Sequence, residues 1–311
     1  MPAVSVKIPV YGVEKYIERC ARSLFEQTME DLEYIFVDDC TPDASMDILA
    51  RVLDDYPARR GQVKVLHNEV NRGLPYTRRR GVEASTGDYI IHCDSDDYVE
   101  KDIYEKLYAK ACGEGLDIVL CQMCIIAHGR IERYMDKLGV EDLVGALIRQ
   151  DICNHLVDKL ITRKAYDKGI VYPRNNIGED YVMCIQLACN CESFGYVFEP
   201  LYNYVVREGS LINSEDTIPK MDQIRENYDL AFSCLEARGL AEKYKKDIEY
   251  TKCWFKSFIQ GFPRDYYMGV FPEVNRSFLF NRDFSDMQRL GHLTHMLGIH
   301  GISKVLIRKK R

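Results

Sequence analysis

Four times within about the first 125 residues, a short apolar run gives way to helical spacing, and two of those runs stop at aspartates. Val4-Ser5-Val6-Lys7-Ile8-Pro9-Val10 is rich in β-formers, and Ile17, Cys20, Leu24 and Phe25 follow it at a helical period. Tyr34-Ile35-Phe36-Val37 is a continuous apolar run, as a parallel strand buried on both faces requires, and it ends in Asp38-Asp39. Asp43 or Ser45 can cap a helix carrying Ile48, Leu49 and Val52. Val63 to Leu66 predicts a third strand, and residues 75–86 a helix that Gly87 punctuates. Tyr89 to Cys93 predicts a fourth strand, again running into Asp94, Asp96 and Asp97, before a helix near 101–113 and a strand at 117–125. Such alternation predicts an α/β fold, a Rossmann-like, mainly parallel sheet flanked by helices. Ligands gather beyond the carboxyl ends of strands in these sheets, so both acidic clusters should share one rim.

Beyond residue 130 the pattern loosens. A helix is expected over 139–150, a strand at 159–162, a helix from Glu179, strands at 196–198 and 202–206, and a helical C-terminal extension from about 217. A boundary near 210 divides residues 1–210 from a helical region, 211–311. No repeat or low-complexity linker interrupts the chain.

Charge narrows the possible partners. Forty-two basic against 48 acidic residues give a net −6, which argues against bulk nucleic-acid binding. No apolar run reaches the ~18–20 residues that span a bilayer, and no signal-peptide pattern opens the sequence. The expectation is a soluble, cytoplasmic protein. Residues 304–311 carry five positive charges and no acid, which suits peripheral contact with the inner face of an anionic membrane or, equally, a solvated tail. The 12 cysteines fall largely in apolar stretches, as reduced thiols do. Cys121-Gln122-Met123-Cys124 has the spacing of a metal or redox pair but lacks a second pair, and reads as a buried strand.

Neither a G-x-G-x-x-G nor a P-loop is present, so a bound phosphate must be neutralised another way. Asp94-Ser95-Asp96 places two carboxylates at alternate positions of an extended segment, pointing the same way. That pair suits Mg²⁺ or Mn²⁺ with positions left open for substrate phosphates, while the plainer reading is an acidic turn. Of Arg78, Arg79 and Arg80, which fan around a helix, Arg78 is the choice for contact with a diphosphate or nucleobase. Arg207 with Gly209-Ser210 reads either as a segment closing over phosphates or as a surface turn. His155 stands near a possible acceptor position or is structural. His292 and His295 have helical spacing without a further metal ligand, and Trp254, Phe255 and Phe258 read as helix core.

Taken in order, these segments resemble the family 2 glycosyltransferases, inverting sugar transferases of the GT-A fold. Ile8-Pro9-Val10-Tyr11 is similar to the family's opening P-x-Y strand, and Phe36-Val37-Asp38-Asp39 with Asp43 and Ser45 to its V-D-D-x-S-x-D-x-S block. Asn71-Arg72-Gly73-Leu74, then Gly87-Asp88-Tyr89-Ile90 into Asp94-Ser95-Asp96-Asp97, resemble its N-x-G-L and D-S-D-D blocks. Gly178-Glu179-Asp180 resembles its E-D motif, and Tyr204 to Ser210 its Y-x-x-R-x-G-S segment. The likeness covers about residues 3–212. It departs at Gly12, where Asn is usual, and at Pro75, Thr77 and Arg79, which interrupt an S-x-A-R-N run.

The resemblance implies a GT-A domain at 1–210, with residues 1–115 binding the nucleotide-sugar and 116–210 the acceptor. It implies that Pro9 and Tyr11 line a nucleobase pocket, that Asp39 accepts a hydrogen bond from a uracil, and that Ser95 and Arg207 face the nucleotide-sugar. Asp94 would touch ribose or metal, Asp96 would hold Mn²⁺ or Mg²⁺ against the diphosphate, and Asp180 would be the catalytic base. The implied reaction is a hexosyl or N-acetylhexosaminyl transfer from a UDP-sugar to a hydroxyl of a glycan or lipid-linked glycan, as in synthesis of capsule, O-antigen or another surface polysaccharide. The alternative is a catalytically silent subunit that only binds nucleotide-sugar. A nucleotidyltransferase ranks third, because Tyr11-Gly12-Val13-Glu14-Lys15 is not the Gly-rich basic loop that chemistry wants.

Overall fold

A computed structural model describes residues 2–127, 130–135, 139–207 and 215–299. In chain order the elements are β1 (Val4–Val10), α1 (Ile17–Phe25), β2 (Leu32–Asp38), α2 (Ser45–Asp54), β3 (Val63–His67), α3 (Leu74–Ala84), β4 (Tyr89–His92), β5 (Tyr98–Val99), α4 (Ile103–Glu114), β6 (Ile118–Ala127) and β7 (Arg130–Met135). They continue as α5 (Leu143–Arg149), β8 (Lys159–Thr162), α6 (Arg163–Asp167), α7 (Glu179–Cys189), β9 (Phe194–Val205), α8 (Ile218–Ala237), α9 (Lys245–Phe258), α10 (Arg264–Gly269), α11 (Asn275–Phe280) and α12 (Asp286–Leu297).

The strand order is β3-β2-β1-β4-β8-β6-β9-β5, with β7 paired to β6. β3, β2, β1 and β4 are mutually parallel; β8 runs against both β4 and β6, and β9 is parallel to β6. Two reversals restore the original direction, so β9 ends at the same rim as β1, β2 and β4. Residues at the carboxyl ends of strands far apart in sequence therefore meet.

Local chemistry explains the joins. Pro75 sits in the first turn of α3, where its missing N–H is no loss. Gly115 ends α4 in the left-handed region at φ +66°, a conformation that costs a Cβ-bearing residue energy. Neither Asp43 nor Ser45 occupies the N-cap of α2: that position is Ala44, and Asp43 accepts the Ser45 N–H from one residue upstream at 3.1 Å. The expected strands at 196–198 and 202–206 are one strand, β9, whose pairing with β6 shifts register around Pro200, a residue with no N–H to give.

Two apolar clusters cover the sheet. One gathers β1, β2, α1, α2 and α4 around Ile8, Phe36, Leu24 and Leu107. The other joins α5 and α7 to the later helices, with Leu147, Tyr181 and Ile185 packed in the same cluster as Met221, Tyr228, Phe255 and Phe278. The helices beyond 217 thus share a core with the sheet. Phe255 is buried, but Phe258 is 49% exposed and stacks on a half-buried Trp254, so only one of those three aromatics is core as expected.

All twelve cysteines are reduced thiols. Cys121 and Cys124 are buried in β6 at an odd offset, which points them to opposite faces and removes the chelating reading. His292 and His295 do not form a metal pair either: each imidazole is satisfied within the helical region, His292 by the Tyr267 hydroxyl and the Asn275 carbonyl, His295 by the Gln260 carbonyl.

Candidate active site

β1 and β2 supply one wall of the rim. Lys7 O accepts the Cys93 N–H at 2.9 Å, and Pro9, two residues on, turns its carbonyl to the same side, where the Ser95 hydroxyl donates to it at 2.6 Å. β4 pairs with β1 only as far as His92, so the N–H that Pro9 lacks breaks no ladder bond. Ser95 is 4% exposed and engaged with Pro9; its hydroxyl ties the acidic loop to β1. Tyr11 follows, half exposed, its ring open to a partner. Gly12 adopts φ +65°, a region that Asn also tolerates, so its departure from the family pattern keeps the backbone shape. Its N–H donates to Thr41 Oγ1, and the Glu14 N–H to Asp43, clamping this loop to the one after β2.

Asp38 and Asp39 part company at the end of β2. Asp38 accepts from the Thr41 N–H and lies 3.0 Å from His67 Nδ1, closing its own turn. Asp39 turns the other way, buried, and accepts from Asn68 Nδ2 (2.7 Å) and the backbone N–H groups of Arg72 (2.8 Å) and Gly73 (2.9 Å). It holds the 71–73 turn in place. Gly73 has φ +85°, and a Cβ there would lie 2.8 Å from Asn176 Oδ1, the atom that accepts the Leu74 N–H.

The Asp94–Asp97 loop is a turn rather than the extended segment expected, closed by the Asp97 N–H on the Asp94 carbonyl at 3.1 Å, and it still sends Asp97 to the other side from Asp94 and Asp96. Asp97 points inward and accepts from the Tyr202 hydroxyl and the Val205 N–H, both at 2.7 Å. Burial, with Asp96 and Asp94 close by, pushes its carboxyl well up. Asp94 and Asp96 point to the rim. Asp94 Oδ1 stands 3.0 Å from Arg78 Nη2 but makes no aligned hydrogen bond, and burial raises this carboxyl against the pull of Arg78. Asp96 Oδ2 is 2.6 Å from Arg207 Nε, which β9 delivers two residues past Val205. Gly209 and Ser210 lie outside the described residues.

Glu179 and Asp180 open α7 behind Gly178, whose φ is +80°. Asp180 is partly exposed, with Oδ1 3.6 Å from Arg78 Nη2. One guanidinium nitrogen therefore reaches both Asp94 and Asp180, and the two carboxylates stand within about two hydrogen-bond lengths of each other.

Arg78 is not the free ligand-binding charge expected of it. It is 3% exposed, beneath the rim rather than on it. Its Nε donates to Glu179 at 2.8 Å and its Nη1 to His92 Nδ1 at 3.1 Å. A buried guanidinium needs this company, because removing it from water costs several kcal/mol unless its donors are satisfied (roughly). Sequence reasoning also missed the floor around it: Lys7 meets His92 Nε2, and Tyr166 reaches the same nitrogen at 3.3 Å. Burial lowers both Lys7 and His92 well below their usual values, with the neighbouring Arg78 adding to the shift of each. No local motif announces such a cluster, since its members come from four segments.

His155 does lie by the site. Its ring stacks on Tyr204 at 5.7 Å, and its Nδ1 is 3.0 Å from Cys153 Sγ. Burial acts to lower it, but Cys153, Asp180 and Asp158 outweigh that and push it up to about 10. A polar cleft of about 560 Å³ between α3 and residues 163–172 flanks the sheet and does not coincide with this rim.

A divalent ion fits the donor set. Asp94 and Asp96 are hard oxygen donors on one side of a loop, and Asp94 Oδ1 is a buried acceptor without a hydrogen bond. Among the described residues no three His, Cys, Asp or Glu side chains group to hold a metal, so substrate oxygens and water would have to complete the shell.

The family model "Glycosyl transferase family 2" matches residues 5–169. EpsH of Bacillus subtilis, which carries a glycosyltransferase name, is 29% identical over 260 residues, covering 80% of this chain and 73% of its own. The poly(ribitol-phosphate) beta-glucosyltransferase of Bacillus spizizenii is 27% identical over 316 residues, covering 90% of this chain; the match spans 48% of that longer protein. Among solved structures, S. aureus TarS 1-349 in complex with UDP-GlcNAc superposes with a TM-score of 0.66 at 20% identity, over 96% of this chain and 92% of that one.

Proposed function

The chain belongs to glycosyl transferase family 2 and has the GT-A type of α/β fold, and from that premise we propose an inverting transfer of a sugar from a UDP-sugar to a glycan hydroxyl. The observation that carries the proposal is the meeting of Asp94, Asp96 and Asp180 at one rim, with Arg78 reaching both Asp94 and Asp180.

The donor lies along the β1–β2–β4 rim. Tyr11 stacks on the base, and Asp39 keeps lone pairs for its ring N–H while holding the 71–73 turn. Asp94 and Asp96 would hold Mn²⁺ or Mg²⁺, which when bound would supply positive charge to the departing diphosphate. Arg207 adds a planar fork of donors suited to phosphate oxygens. Asp180, at the positive end of α7, takes the proton from the acceptor hydroxyl. With a single base acting on the face opposite the leaving group, displacement is direct and the anomeric centre inverts. The residue 1–115 half serves the donor and the 116–210 half the acceptor, with His155 beside the base. The UDP-GlcNAc bound to TarS supports a UDP-sugar, and the poly(ribitol-phosphate) substrate named for the Bacillus relative supports a surface polymer or its lipid-linked precursor as acceptor.

The test is a panel of nucleotide-sugars, scoring nucleotide release with and without Mn²⁺, for the native chain and Asp180→Asn. Release from UDP-sugars that needs Mn²⁺ and falls about 10²–10⁴-fold in Asp180→Asn is expected, the range for losing a general base. UDP binding without turnover, unchanged by the substitution, would instead identify a silent binding subunit.

A further inference from the structure

Asp180 stands in the first turn of α7, a helix that begins without a side-chain cap. Its N-cap is Gly178 at φ +80°, which has no side chain to accept a first-turn N–H. The direction of that turn, and of the carboxylate on it, therefore depends on what holds residues 175–178.

The hold comes from the helical region. Asn227, in α8 and 1% exposed, donates from Nδ2 to the Ile177 carbonyl at 2.9 Å and to the Asn175 carbonyl at 3.3 Å. The Asn175 side chain returns the contact, donating to Glu226 on the same helix at 2.8 Å. Gly178 lies against α8 as well: a Cβ there would stand 3.9 Å from Asn227 Nδ2 and from Ile224. Within α7 the Tyr181 ring meets Tyr228 at 4.4 Å, so the same face of α8 grips both the bend and the helix it starts. A buried amide is costly unless it is hydrogen-bonded, and this one is spent on two carbonyls just ahead of Asp180.

We propose that Asn227 is a positioning residue for Asp180. By bridging the Asn175 and Ile177 carbonyls it sets the bend at Gly178, and with it the direction in which the carboxylate faces the acceptor hydroxyl. This role rests on the reading of Asp180 as the base. It makes the helices beyond 217 part of the reaction's machinery, since a reacting group displaced by about 1 Å can cost 10²-fold in rate.

Three variants of the full chain test it. Asn227→Asp keeps the shape but turns an acceptor toward the two carbonyls, Asn227→Ala removes the donor, and Asn227→Ser keeps one in a shorter side chain. Hydrogen exchange read by mass spectrometry, without ligand, reports on the bend itself. In the Asp and Ala variants it should quicken about tenfold over residues 176–184, the worth of one or two hydrogen bonds, and stay unchanged over residues 89–99. Nucleotide release from a UDP-sugar with Mn²⁺, well below the melting temperature, should show kcat lower by roughly 10–100-fold with KM unchanged, and the Ser variant between. Leu235→Ala, at a buried position further along α8, should lower the melting temperature at least as much and leave kcat unchanged. Unchanged exchange over 176–184, or quickened exchange with native kcat, would overturn the proposal. So would a fall in kcat that Leu235→Ala reproduces, which would mark lost folding stability alone. Native turnover that is absent, or indifferent to Asp180→Asn, would bring down the base assignment and this role with it, a failure that the exchange data keep apart from the others.

Discussion

Arg207 Nε lies 2.6 Å from Asp96 Oδ2, so the carboxylate that the rim offers to a cation is already matched by a positive side chain of the same chain. Asp94 is likewise faced by Arg78. With both rim carboxylates matched and no third ligand grouped with them among the described residues, a bare divalent ion gains little here. On the proposed function, a diphosphate would change this balance, because it would compete with Asp96 for Arg207 and bring oxygen ligands of its own.

Arg207→Ala should therefore strengthen binding of Mn²⁺ alone, measured by titration, while weakening UDP roughly 10–100-fold, the worth of a charge-assisted hydrogen bond. Unchanged affinity for both ligands would mean that the Arg207–Asp96 pair has no part in donor binding.

Arg78→Met should destabilise the chain by about 3–5 kcal/mol in urea unfolding, because it leaves Glu179, Asp94 and Asp180 crowded without their shared cation. Arg78→Lys should restore only part of that, since an ammonium cannot serve Glu179, Asp94 and His92 together. A loss below 1 kcal/mol for the Met variant would show that the three acids disperse without it.

Acid should loosen the helical region through His292. Burial lowers this imidazole to about 4, with the Asn275 carbonyl opposing the shift and Lys256 and His295 adding to it. The neutral ring donates from Nε2 to Asn275 O and accepts the Tyr267 hydroxyl at Nδ1. Because the folded value is depressed, the stability it contributes is fully present above about 6.5 and is lost as pH falls through about 4. At 1.36 kcal/mol per unit the loss is at most about 3 kcal/mol. Urea melts across that window should show the slope for the native chain and a flatter one for His292→Gln; equal slopes would contradict the assignment.

The parts of this protein that strands and helices announce locally were readable in the sequence. The runs ending at Asp38-Asp39 and at Asp94 become β2 and β4, and the aspartates stand at one rim because parallel strands end together. The helix beginning at Glu179 becomes α7. What stayed hidden depends on contacts between segments. Arg78 read as the one of three consecutive arginines to meet a ligand, whereas contacts with β4 and α7 bury it beneath the rim. Lys7 and His92 sit in strands whose pattern shows only alternation, and nothing nearby reveals that they face each other across β1 and β4. The antiparallel turn of β8 was equally silent, since a four-residue apolar run carries no direction.

Asn176 joins the turn that Asp39 holds to the segment that leads into Asp180. Its side-chain oxygen caps the first turn of α3, against a glycine that leaves no room for a Cβ, and two residues later the backbone bends at Gly178 into the helix carrying Asp180. Asp39 fixes the other side of that same glycine. On the proposed function, a base seated against Asp39 would be joined to Asp180 by three short links, and the two ends of the reaction would then share one mechanical tolerance. An enlarged side chain at 73 would misalign both at once.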